Sequence, residues 1–169
     1  MVEHLISLGH KRIAIMTEGS DTPSIVRLRL TGYLDALKKH GIKVNEKLIR
    51  PVEKKIYTVQ NGYDTAKALI ESGEKFTALY CISDVLAVGA LRAFADAGIR
   101  VPEDVSVAGY DGQELAQYSV PRLTTIKQPA DEIAKEATKL LFNIIDKESD
   151  HRHIVFPGEL ILGESAKKI

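Results

Sequence analysis

Short apolar runs alternate with helical stripes along this chain, and that alternation restricts the folds open to it. Arg12–Thr17 (RIAIMT) has little polar interruption, as strands buried on both faces of a parallel sheet require. Ile25, Leu28, Leu34 and Leu37 then recur at helical spacing, with Pro23 near the start behind Ser20, Asp21 and Thr22 as cap candidates. Lys38, Lys39 and His40 suit the negative end of that helix, and Gly41 ends it. Gly32 inside it costs about 1 kcal/mol relative to Ala and is read as a close approach of helix to sheet. Leu48–Val52 is a second strand, and a helix from Thr58 or Asn61 runs to Gly73. Thr77–Ile82 is a third strand. Leu86, Ala90, Ala93, Phe94 and Ala97 mark a helix that stops at Gly98, and Val105–Tyr110 is a fourth strand. Four strand–helix units in succession predict an α/β fold: a three-layer, doubly wound parallel sheet with right-handed crossovers.

After Pro121 the rhythm changes. A Thr-rich apolar run, Leu123–Lys127, crosses away from a short helical turn at Gln113–Tyr118. A strong helix follows over Asp131–Lys147, with Ile133, Ala137, Leu140, Leu141, Ile144 and Ile145 on one face, its terminal charges matched to the helix dipole. A last strand-like segment covers about His153–Leu162. These elements read as a return segment into a neighbouring subdomain. The apolar face of the 131–147 helix would pack in that subdomain; in this chain alone it needs another cover, so an association between copies, such as a homodimer or a domain swap, is expected there.

Of 169 residues, 44% are hydrophobic and 27% charged, and 23 basic residues balance 23 acidic ones. Such a chain can build a sizeable core, and its neutral charge gives no footprint for nucleic acid or an anionic membrane. Without Trp it lacks the stacking platform of a single-strand binder. No apolar run approaches the roughly 18 residues that span a bilayer. The opening MVEHLISLGHKR lacks a basic segment before an apolar one and does not read as a signal peptide. It reads as the end of an amphipathic helix stopping at Gly9, hence as a fragment of something longer. Cys81, in TALYCI, reads as a buried inert thiol.

The polar residues at strand tips carry the candidate chemistry, because ligands of open α/β sheets sit outside the carboxyl ends of the strands. Asp111 follows the fourth strand, and a carboxylate there can accept from two adjacent sugar hydroxyls; the alternative is a turn residue before Gly112. Ser83 and Asp84 open a helix after the third strand, with Asp84 the preferred cap. Arg27 and Arg29, in RLRL, each offer a guanidinium fork, and periodicity does not choose between them. Tyr57 can stack on a sugar ring or fill a rim. Gln128 offers donors and acceptors at the end of the crossing strand. Enzyme signatures are missing: there is no GxGxxG after a strand, no GxxxxGK[ST], no GxSxG and no HExxH. The five histidines lack ligand spacing, and Glu18-Gly19-Ser20 is a poor match to the acid cluster of a phosphoacceptor receiver domain. No catalytic activity, metal or cofactor is expected.

LISLGHKRIAIMTE, RLRLTGYLDAL, FTALYCISDVLAVGALRAFADAGIRVPEDVSVAGYDG and PRLTTIKQP, in this order, together resemble the lactose/galactose-repressor (LacI/GalR) family of bacterial transcription regulators. The resemblance covers essentially the whole chain. It implies a periplasmic-binding-protein-like core of two lobes with a small effector, a sugar or sugar phosphate, held between them. Residues 1–11 would be the end of an N-lobe helix and 12–120 the C-terminal lobe. Residues 121–150 would be the crossover strand and helix of the N-terminal lobe, and 151–169 a final strand returning to the C-terminal lobe. The helix-turn-helix that binds operator DNA would lie outside this chain. The resemblance selects Arg29 over Arg27 and matches Asp111 and Gln128 to effector-binding positions, with Tyr57 where many members place an aromatic. Many members have Asn-Asp where this chain has Ser83-Asp84, and Ser offers one donor on a shorter arm. Val88, Leu115 and Tyr118 fall on the expected homodimer face of a cytoplasmic repressor. An extracytoplasmic sugar-binding protein of a transporter, which shares the two-lobed fold, is the alternative.

Overall fold

The computed structural model describes residues 1–18, 25–52, 57–146 and 153–169. The cap candidates at 20–23, Lys147 and His151 lie outside them. Strands β1 (Ile13–Thr17), β2 (Ile49–Pro51), β3 (Ala78–Cys81) and β4 (Ser106–Ala108) form a parallel sheet in the order β2-β1-β3-β4. Every residue of β1 and β3 is buried, which is why both read as unbroken apolar runs. Helix α1 (Val2–Ser7) packs on α2 (Ile25–Lys39), and α3 (Val59–Glu71) packs on α4 (Asp84–Asp96). The chain winds from β1 outward to β2, then back past β1 to β3 and β4. Right-handed crossovers therefore set the two helix pairs on opposite faces. The expected three layers result, and the winding direction reverses between β1 and β3.

Local chemistry explains most element ends. The Thr58 hydroxyl accepts from the Asn61 N–H at 3.1 Å, which settles the start of α3 in favour of Thr58. Gly41, Gly73 and Gly98 take positive φ just past the ends of α2, α3 and α4. The α2 stripe is rotated from the expected one: Leu28 is 67% exposed, and Tyr33 holds the central buried position. Its hydroxyl donates to the Ile13 carbonyl at 2.9 Å, and burial pushes its pKa up to about 12. Gly32 does not approach the sheet; it is exposed, and a Cβ there would meet no atom within 4 Å. The close approach occurs at Gly62 and Gly89, where α3 and α4 touch backbone to backbone. Cys81 is buried as expected, and burial pushes its thiol pKa up.

The return segment begins before it leaves the lobe. Strand β5 (Thr125–Lys127) pairs antiparallel with β6 (Glu159–Ile161), and the approach to β5 also runs along the extension of β4. Gly109 and Asp111 donate their N–H groups to the carbonyls of Thr124 and Ile126, both at 2.9 Å, and Leu123, Thr124 and Thr125 are buried. Helix α5 (Glu114–Tyr118) fills the turn before it. Helix α6 (Ala130–Ile145) buries none of its residues; Phe142 and Ile145 are about three-fifths exposed. Only three residues of the expected 153–162 strand find a partner, and Val155 is 90% exposed.

Both ends of the chain pack on the four-stranded layer. Val2 and Leu5 of α1, expected in the other lobe, join the core that contains Ile13, Tyr33 and Leu37. The C-terminal tail runs back beside β4: Val107 donates to the Ser165 carbonyl at 2.7 Å and receives the Ser165 hydroxyl at 2.6 Å. Fully buried His10 clamps this tail. Its Nε2 lies 3.1 Å from the Lys167 carbonyl, which can only accept, so that nitrogen carries the proton. Nδ1 then accepts from the Thr77 hydroxyl at 2.9 Å.

Burial lowers the pKa of His10, the largest cause of its shift. A histidine held neutral in the fold but free to protonate when unfolded stabilises fully above its ordinary pKa near 6.5. That contribution is lost as pH falls below it. The melting temperature should therefore drop between pH 7.5 and 5.5, and the drop should shrink in His10→Asn even though that variant is less stable throughout. An equal drop in both proteins would remove His10 as the source. Partly buried His4 shifts in the same direction and leaves a residual slope.

Candidate functional site

The reversal between β1 and β3 opens a crevice at the carboxyl ends of the strands, where α/β sheets bind ligands. Three expected residues meet there around a fourth, the carboxylate of Asp111. Arg29, from α2, reaches Asp111 Oδ1 with Nη2 at 3.2 Å and donates Nη1 to the Ile82 carbonyl. Ser83 donates its hydroxyl to Asp111 Oδ2 at 3.0 Å, and Gln128 Nε2 donates to Oδ1 at 2.6 Å. Asp111 thus holds one donor from each of α2, the β3–α4 turn and the end of β5. The Arg29 and Asp111 side chains are 15% and 17% exposed, so their charges are poorly screened by water yet still reachable. Asp111 is also the one non-glycine with positive φ among the described residues, at 120°. Strained backbone of this kind persists where the surroundings over-determine it, and it concentrates at functional sites.

Two aromatic residues that the sequence reading did not single out complete the wall. The Arg29 guanidinium carbon lies 4.1 Å from the centre of the Tyr110 ring, a cation–π contact that orients the fork. Tyr80, on β3, lines a groove of about 590 Å³ with Arg29, Tyr110 and Gln128; the groove runs on along α2 to Glu3 of α1 and Lys39, and Asp111 stands outside its lining. That is room for a small ligand. Tyr110 was findable in principle, since it immediately precedes Asp111 at the strand tip. Tyr80 faces the cleft only because of which way β3 presents its alternate residues. Tyr57 is half-buried, and burial together with a hydrogen bond to Glu18 pushes its pKa up. The field of Arg29 and Asp111 acts on it as well, so it belongs to the same neighbourhood.

Asp84 does not join the cleft. It is fully buried beneath it, accepting from the Thr125 hydroxyl at 2.6 Å and the Gln113 N–H at 2.7 Å. Nor does it cap α4: Ser83 holds the cap position, with its hydroxyl turned to Asp111 instead of to the helix. The reason is spacing. Asp84 is the first residue of the helix, and its side chain points back under the Gly112–Gln113 backbone, whose N–H groups turn to it. Arg27 is exposed on α2, away from this cluster.

The sequence model of the periplasmic binding protein-like domain matches residues 2–166. The transcriptional regulator AscG of Escherichia coli is 39% identical over 164 residues, 97% of this chain and 48% of that protein. The ribose operon repressor of Haemophilus influenzae is 38% identical over 162 residues, 95% of this chain and 48% of its own length. The chain belongs to the LacI family of transcription regulators. It spans about half the length of these LacI-family relatives. A LacI-family regulator from Enterococcus faecium, solved with bound ribose, superposes with a TM-score of 0.89 at 31% identity, covering 99% of this chain and 61% of that one. These relatives are named as transcription regulators and repressors, not as enzymes or transport proteins, which disfavours the transport-protein alternative. Among the described residues, no helix is long and apolar enough to cross a membrane.

Proposed function

We propose that this chain is part of the effector-sensing core of a cytoplasmic, sugar-responsive repressor without catalytic activity. Residues 12–120 form the C-terminal lobe, and 121–150 carry the crossover strand and a helix of the N-terminal lobe. Residues 151–169 return to the first. The observation that carries the reading is Asp111, a strained strand-tip carboxylate at the switch point, braced by Arg29, Ser83 and Gln128. In the liganded state two vicinal hydroxyls donate to the Asp111 carboxylate and one of them accepts from Arg29, while Tyr57, Tyr80 and Tyr110 supply apolar faces for the ring. A lobe upstream closes over the ligand and covers the bare face of α6. Closure changes how two subunits meet across α4 and α5, where Val88 and Leu115 are half-buried and Tyr118 is 77% exposed. Operator affinity then changes by population shift, through a helix-turn-helix upstream.

The experiment uses the intact protein. It should sediment as a dimer and release operator DNA when a neutral sugar such as ribose or cellobiose is added. A protein indifferent to pentoses, hexoses, disaccharides and their phosphates in both operator binding and melting temperature would sink this reading.

A further inference from the structure

Asp84 is a carboxylate with no path to solvent, and burying such a charge is costly unless donors surround it. The donors come from two neighbouring segments, the Asp111 turn and the crossover strand. Thr125, the first residue of the crossover strand β5, gives its hydroxyl to Oδ1 at 2.6 Å. Gln113 gives its N–H to Oδ2 at 2.7 Å, and the Gly112 N–H adds a further bond. Asp84 in turn donates its own N–H to the Tyr110 carbonyl at 2.8 Å, and its neighbour Ser83 donates to Asp111. The backbone makes room for the group: a Cβ on Gly109 would lie 2.2 Å from Asp84 Oδ1, so only glycine lets β4 pass this close.

We propose that Asp84 is a positioning residue, a buried clasp that fastens the Asp111 turn to the crossover strand so that effector seated on Asp111 moves the strand bearing Gln128. Thr125 and Gln128 lie three residues apart on one strand, and Asp111 holds the other end of that strand through the Gln128 amide. Side chains therefore pin the strand to the ligand-binding turn at two points, beside the backbone bonds from the Asp111 N–H to the Ile126 carbonyl and from the Gln128 N–H to the Asp111 carbonyl. A tug on Asp111 travels through the Gly112–Gln113 backbone into Asp84 and out through Thr125 into β5. This rests on the cleft reading above, and it assigns to Asp84 a task in the response and none in ligand contact.

Thr125→Val tests the clasp, because it keeps the β-branched shape and strand preference while removing only the hydroxyl donor. In the intact dimer, operator affinity without effector should stay as in the wild type. The factor by which sugar changes operator affinity, typically about 5–150-fold for coupled sites, should fall to within about twofold of unity. Thr125→Ser, which restores the donor, should restore the factor. Hydrogen exchange gives a second readout that needs no effector: the Gln113 amide should exchange faster in Thr125→Val and in Asp84→Asn than in the wild type. A wild-type allosteric factor in Thr125→Val overturns the clasp, as does unchanged exchange at Gln113. If the wild type itself answers to no sugar, the functional reading fails, and exchange at Gln113 alone then decides whether the clasp exists.

Discussion

Asp111→Asn in the intact repressor is expected to weaken effector binding by at least about 100-fold while leaving operator affinity in the absence of effector unchanged. The substitution keeps the size of the side chain and removes its charge. A hydrogen bond to a charged group is worth about 1.5–3 kcal/mol, and a diol loses two of them to a carboxylate, so about 3 kcal/mol is the modest estimate. At 1.4 kcal/mol per tenfold, that is about two orders of magnitude. Arg29→Ala should do the same from the other side, and for an additional reason. It strips Asp111 of its only ion-pair partner among the described residues. An uncompensated carboxylate then sits in a poorly solvated crevice. Calorimetric titration with sugar, paired with operator binding with and without it, measures both quantities. Normal sugar-driven release in either variant would remove these residues from the site.

The second large effect is on stability. Gly89→Ala should destabilise the protein by about 2 kcal/mol, although Ala is the better helix former by about 1 kcal/mol. A Cβ on Gly89 would lie 2.0 Å from the Val59 carbonyl oxygen and 2.6 Å from the Tyr63 nitrogen. These are backbone atoms of α3, which cannot rotate aside as a side chain would. On the other helix, a Cβ at Gly62 would stand 2.3 Å from the Leu86 carbonyl oxygen. Relief requires α3 and α4 to separate by more than an ångström, which opens a close-packed interface around Leu86 and Ala90. Overpacking of this kind commonly costs about 1–3 kcal/mol, occasionally more, and here the propensity gain offsets only part of it. For a domain of this size the melting temperature should fall by about 4–8 °C. Gly32→Ala is the matched control: it sits in helix α2 with open space around it, so only the propensity term acts, and it should melt slightly higher. Equal behaviour of the two variants would show that the helix crossing tolerates a methyl group.

Gly32 and Gly89 also show where local reasoning ends. Both are helix-interior glycines, and the sequence reading attached the close approach to Gly32. The contact falls at Gly89, because which face of a helix meets a neighbour depends on how the layers stack. Ser83, Asp84 and Asp111 teach the same lesson about polar groups. Each sits at or just after the end of a strand, and strand ends were legible from periodicity. Ser83 and Asp111 face each other across the crevice. Asp84, one residue on, is turned beneath it by the helical backbone and satisfied by partners 29 and 41 positions away.

The sequence by itself determined the alternation of strands and helices, most of their ends, the buried character of β1 and β3, a set of strand-tip polar residues, and, through longer segments such as RLRLTGYLDAL and PRLTTIKQP, the family resemblance. Those properties are local: hydrophobic period, caps and glycine stops act within a few residues. The order β2-β1-β3-β4, the attachment of β5 along β4, the convergence of Arg29, Ser83, Asp111 and Gln128, and the burial of Asp84 were decided by the tertiary structure. Each depends on contacts between segments far apart in the chain, where packing of whole layers, and no local preference, selects which side chains meet.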